Sequence, residues 1–200
     1  MTEKDTMERK ELKVEEIKTL AEEKTCPVQK AFFYITEFLS GPMCGRCFPC
    51  AMGSYEARIR LSHLIEGKGL EGDLFALSRI AGEMLEASMC KKGKDTAKFI
   101  LDWMETGLYR EHIEGRCPDG RCASLIEYRI VPDKCTMCGL CRDACNYSAI
   151  FGEKKKPFLS GYLPFEIRRK KCVKCDACRN VCPEEAIIVV GAKSGEPVGV

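Results

Sequence analysis

The stretches CTMCGLCRDAC (residues 135–145) and CVKCDACRNVCP (residues 172–183) decide the fold. Each sets four cysteines at the spacing C-x2-C-x2-C-x3-C, and the second run repeats the first 37 residues further on. A cubane iron–sulfur cluster needs four thiolates converging on one small volume, and a tight loop that supplies three of them is a common solution. The flanks repeat too. Tyr128–Val131 and Phe165–Arg168 are short β-like stretches before the cysteines, and Ala149–Phe151 and Ala186–Val190 are short β-like stretches after them. The pattern predicts a unit of strand, cluster loop, short helix and strand, used twice. A zinc ribbon would use two cysteines of each run and leave two idle.

These two runs resemble the bacterial two-cluster ferredoxins. That resemblance implies that the fourth cysteine of each run ligates the other cluster. One [4Fe–4S] cluster would then use Cys135, Cys138, Cys141 and Cys182, and the other Cys172, Cys175, Cys178 and Cys145. One departure stands out: Cys182 is followed by the usual Pro183, whereas Cys145 is followed by Asn146. Lys154, Lys155, Lys156, Arg168, Arg169, Lys170 and Lys171 lie between the runs. They read as a solvated loop, or as positive charge that steers an acidic electron carrier.

Upstream, residues 27–110 read as helical. Pro27 suits the start of a helix carrying Ala31, Phe32, Ile35, Phe38 and Leu39, and Gly41-Pro42 stops it. A second helix is expected over Tyr55–Ile65 and a third over Asp73–Ala87. A fourth carries Phe99, Ile100, Trp103 and Met104, with Asp95 as its N-cap. Met84, Met89, Met104 and Trp103 read as core. Gly67–Gly72 matches G-x-G-x-x-G, but a helix precedes it where the dinucleotide fingerprint needs a strand, so it reads as a helix–helix turn. Residues 1–24, with six basic and eight acidic side chains, carry Val14, Ile17, Leu20 and Ala21 at helical spacing. They are expected to form a charged N-terminal arm or an exposed helix with a narrow apolar stripe.

Within this region Cys44-x2-Cys47-x2-Cys50, followed after 39 residues by Cys90, makes a third ligand set. Together with Thr25-Cys26-Pro27-Val28 and Ile35-Thr36-Glu37-Phe38-Leu39, it resembles the C-terminal helical domain of the NADH-binding flavoprotein subunit of respiratory complex I. It is also similar to the related subunit of flavin-based electron-bifurcating hydrogenases and formate dehydrogenases. The resemblance covers roughly residues 25–190 and implies one [4Fe–4S] cluster on Cys44, Cys47, Cys50 and Cys90. This chain has Pro42-Met43 before the first cysteine, where that family usually has Glu-Ser, and Ala51-Met52-Gly53 after the third, where it has Arg-Glu-Gly. The preceding flavin- and NADH-binding domain has no room in 24 residues, so no flavin or nicotinamide is expected on this chain.

Twelve of the 15 cysteines are thereby placed. Cys26, Cys117 and Cys122, with His112, could form a Cys3His zinc site, or the thiols could be buried without a metal or close a Cys117–Cys122 disulfide. A secreted disulfide framework is not expected, because MTEKDTMERKELKVEE has no apolar signal region. A net charge of +2 gives no case for bulk nucleic-acid attraction, and no stretch approaches a membrane span.

The sequence thus predicts an α+β protein. Its parts are an arm over 1–24, a small four-helix bundle with one cluster over 25–112, a linker with zinc ligands over 113–126, and a ferredoxin-like two-[4Fe–4S] domain over 127–200. The expected role is a cytoplasmic electron-transfer subunit, without catalysis of its own, in an anaerobic oxidoreductase. It would join a flavoprotein or catalytic subunit to soluble ferredoxin or another redox subunit, in an NAD(P)H-, hydrogen-, formate- or aldehyde-linked complex. Stand-alone ferredoxin and zinc-bound structural or regulatory module are the alternatives.

Overall fold

The computed structural model describes residues 12–156 and 163–198. Residues 1–11 of the charged arm lie outside the described residues. Helices dominate the first part and short strands the second, a mixed α+β chain. It divides into two units, residues 1–110 and 111–200.

The first unit is built from α1 (Val14–Glu22), α2 (Pro27–Ser40), α3 (Phe48–Ile65), α4 (Glu71–Ala87) and α5 (Lys91–Met104). Each packs on the next, and α5 returns onto α2. Pro27 occupies the first turn of α2, where its missing N–H costs nothing. The core is aromatic: Tyr34 and Phe99 stack with ring centroids 4.4 Å apart, and Trp103 meets Phe99 edge-on at 6.4 Å. Ile17 and Ala21 of α1 are fully buried against this core. The narrow apolar stripe of α1 is covered by α2, because burying it beside Tyr34 and Phe38 removes apolar surface from water.

Three expectations need correction. Helix α3 begins at Phe48, with Cys47 as its N-cap, rather than at Tyr55. Helix α5 begins at Lys91 with Cys90 as N-cap, and Asp95 lies inside it. Met89 is 84% exposed, not core, because it sits on the turn that presents Cys90. Met84 is buried, and Gly53 lets α3 approach it: a Cβ there would meet Met84 Cγ at 2.6 Å.

Helix α6 (Leu108–Ile113) contains the division between the units. The second unit then has β1 (Ile126–Ile130), α7 (Leu140–Asp143), β2 (Ile150–Phe151), β3 (Glu166–Ile167), α8 (Ala177–Asn180) and β4 (Ile187–Gly191). Strand β1 pairs antiparallel with β4, Tyr128 opposite Val189, and β2 pairs antiparallel with β3, Ile150 opposite Ile167. The strand before each cysteine run therefore pairs with the strand after the other run. The duplication extends to the backbone. Left-handed residues recur in register: Met137 and Lys174, Gly139 and Asp176, Ser148 and Glu185. No helix among the described residues is long and apolar enough to cross a membrane.

Candidate metal centres

In the second unit the cysteines gather in two cavities. One is lined by Cys135, Cys138, Cys141 and Cys182, together with Ile130, Thr136, Gly139, Phe165, Glu184, Ala186 and Ile187. The other is lined by Cys145, Cys172, Cys175 and Cys178, with Ile167, Val173, Asp176, Tyr128, Tyr147, Ala149 and Ile150 among its walls. Every wall position of the first has its counterpart in the second at the spacing of the repeat. Each loop delivers two thiols and the single-turn helix at its end a third to one cavity, and beyond that helix the fourth thiol reaches the other.

The local backbone prepares these sulfurs as acceptors. The Ala149 N–H points at Cys145 Sγ and the Ala186 N–H at Cys182 Sγ, both at 3.4 Å. The thiolate is the form that binds metal, and burial works against it. Burial, with the neighbouring Cys172 charge behind it, pushes the Cys178 thiol up to about 11. Cys141 is raised by burial first, with Cys135, Cys138 and Cys182 adding to it. Crowded thiolates of one charge are unfavourable without a cation among them. The donor set therefore fits a metal cluster whose iron offsets the charge.

The helical unit builds its site differently. Cys44 lies on an exposed loop, Cys47 caps α3, Cys50 sits in the first turn of α3, and Cys90 caps α5. Cys47 and Cys50 are buried in the same cluster as Tyr34, Phe38 and Phe99, so the aromatic core forms the floor of the site. The Met89 backbone N–H bonds Cys47 and holds its thiol below the ordinary range. Burial, with the charge of Cys47, pushes Cys50 up to about 11, and Cys90 adds to the shift. Gly93 is required here. A Cβ on it would meet Cys50 Sγ at 3.1 Å and the Ser88 side chain at 2.8 Å. Gly93 and the Met89 N–H carry no motif, and sequence reasoning missed both.

His112, Cys117 and Cys122 are fully buried in the second unit, with ligand atoms within 4.8 Å of one another. His112 Nε2 stands 3.5 Å from Cys122 Sγ. Cys26, fully buried, is the N-cap of α2 in the first unit. No disulfide joins any cysteine of the described residues.

The paired four-cysteine cavities and the matches that follow mark an iron–sulfur protein of the electron-transfer class. Residues 30–116 match the NADH-ubiquinone oxidoreductase-F iron–sulfur binding region, and residues 134–187 match the 4Fe–4S dicluster domain. The chain carries these two regions in tandem. It is similar to the NADP-reducing hydrogenase subunit HndC of Solidesulfovibrio fructosivorans, with 34% identity over 68% of this chain and 28% of that protein. It is 37% identical to the F-type subunit of NADH-quinone oxidoreductase from Streptomyces coelicolor, over 48% of this chain and 22% of that one. With the NADP(+)-dependent formate dehydrogenase subunit beta of Moorella thermoacetica it shares 36% identity over 34% of this chain and 10% of that protein. The chain spans less than a third of the length of each of these relatives.

Proposed function

We propose that this chain is the electron-relay subunit of a cytoplasmic, anaerobic multi-subunit oxidoreductase. It carries three [4Fe–4S] clusters, on Cys44/Cys47/Cys50/Cys90, on Cys135/Cys138/Cys141/Cys182 and on Cys145/Cys172/Cys175/Cys178. The observation that carries the reading is the pair of four-cysteine cavities whose walls correspond position by position. Each cluster would take up and release one electron, while the protein excludes solvent and sets the potential. The relatives are named as subunits of NADP-, NADH- and formate-linked oxidoreductases, which supports a flavin- or metal-bearing partner at one end. Ferredoxin or another redox subunit stands at the other, and a bifurcating complex is one setting for such a relay.

A structural zinc ion belongs to the same reading. His112, Cys117 and Cys122 supply three corners of a tetrahedral site, and the sequence, with twelve of its 15 cysteines assigned to clusters, offers Cys26 as the fourth ligand.

The test is metal and sulfide analysis of anaerobically purified protein. About 12 iron, about 12 sulfide and about one zinc per chain are expected. Zinc without iron or sulfide overturns the relay in favour of the structural module. About eight iron removes the helical centre from the scheme. Cys122→Ser should lose zinc and keep the full iron count. Oxidation of NADH at enzymatic rates by the isolated chain would contradict the division of labour between subunits, and isolation from its native host as a free monomer would point to a stand-alone ferredoxin.

A further inference from the structure

The two four-cysteine cavities correspond along their walls, so their few differences are informative. Where the first has Phe165 and Gly139, the second has Tyr128 and Asp176. The two changes meet. The Tyr128 hydroxyl donates to Asp176 Oδ1 at 2.6 Å, from strand β1 to the loop that carries Cys175. Phe165, lacking the hydroxyl, faces a loop with glycine and no carboxylate. Phenol and carboxylate thus occur together or not at all.

Asp176 also occupies an unfavourable backbone position. Its φ is +63°, in the left-handed region that its counterpart Gly139 (φ +82°) enters without cost. A carboxylate stands where the fold suits glycine, half-buried and directly after a metal-binding cysteine. Tyr128, only 7% exposed, fixes it there, and Arg179 reaches its Oδ1 only at 4.0 Å. The acid at the other cavity, Glu184, is exposed, where solvent and salt screen its charge.

We propose that Tyr128 and Asp176 are a positioning pair that lowers the reduction potential of the cluster held by Cys145, Cys172, Cys175 and Cys178. The proposal rests on the reading that these cysteines hold a [4Fe–4S] cluster. Reduction adds one negative charge to the cluster, and a fixed carboxylate beside it disfavours that charge more strongly than one in bulk water. The Tyr128 hydroxyl holds the carboxylate in place against the cavity. The relay then has a step in potential built in by two residues, with the lower-potential site at Asp176.

The test is an anaerobic redox titration followed by electron paramagnetic resonance, with iron and sulfide counted for each protein. Asp176→Asn should raise one midpoint potential and leave the other two in place. The expected shift is about tenfold in the reduced-to-oxidised ratio, or about 59 mV for one electron. Tyr128→Phe should move the same potential the same way, by less, because the carboxylate is no longer held beside the cluster. Asp176→Gly keeps the left-handed backbone and should reproduce the asparagine variant, so it decides the matter if the asparagine variant loses iron. Three unmoved potentials overturn the proposal, as does a common shift of all three. So does a shift of opposite sign in Asp176→Asn and Tyr128→Phe. A wild-type chain short of its second-unit iron overturns instead the cluster assignment beneath it, and the metal count separates the two failures.

Discussion

The helical unit and the cysteine-repeat unit solve one problem by opposite means. In the first, five helices bury an aromatic core, and two of the four cysteines are members of that core. In the second, four strands of two to five residues and two single-turn helices surround two cavities walled by cysteine. Two-stranded sheets of this size are marginal in water. On the proposed reading the first unit has a fold to which a cluster would be added, whereas the second would depend on its clusters for much of its cross-linking.

Metal removal should break that comparison most visibly. Chelation of iron should leave most of the helical circular dichroism, while the amides of β1 and β4 lose their protection from hydrogen exchange. Equal protection in both sheets before and after chelation would refute the contrast. Next in size is Phe38→Ala, which deletes a ring buried beside Tyr34 and should destabilise the helical unit by about 3–5 kcal/mol. Denaturant titration of the metal-free protein reads this directly.

An acid limb should belong to the helical unit. Asp73 is buried; burial alone would raise its carboxyl, but Arg60 at 2.8 Å and the Leu70 N–H at 2.8 Å outweigh it and hold it below the usual range. A depressed carboxyl stabilises the fold above its unfolded value of about 3.9, and the contribution disappears as pH falls through the lower folded value. Asp73→Asn should cost about 1.5–3 kcal/mol at neutral pH and flatten the acid limb of the helical melt below about pH 4. An unchanged limb in the variant would assign the acid sensitivity elsewhere. The smallest effect is at Arg79 and Glu83, 69% and 67% exposed across one helical turn. Glu83→Ala should change stability by less than about 0.5 kcal/mol, and a thermal melt within error of wild type is the expected result.

Much of this was legible in the cysteine spacing, because metal ligation requires particular residues at particular separations. The strands around each run were legible for a related reason, since Tyr128 to Ile130 and Phe165 to Ile167 alternate towards a core. Which strand pairs with which was not, because that depends on the other half of the repeat. Helix starts were misread where a cysteine acts as the cap. Cys47 and Cys90 open α3 and α5, while propensity favours later residues such as Asp95. The pairing of Tyr128 with Asp176 could have been found by aligning the two runs with their flanks. It was missed because attention to cysteines hides the residues between them.

The crossed pairing of the second unit has an evolutionary reading. One copy of the repeat holds three ligands for one centre and a single ligand for another, so alone it completes neither. Two identical copies related by a two-fold axis would complete both, and each would be the other's missing quarter. The present chain has the layout of such a homodimer written into one polypeptide. Symmetric partners must mutate together, whereas fused halves are free to drift apart. Gly139 and Asp176 illustrate that freedom: one position of the repeat, held by two different residues.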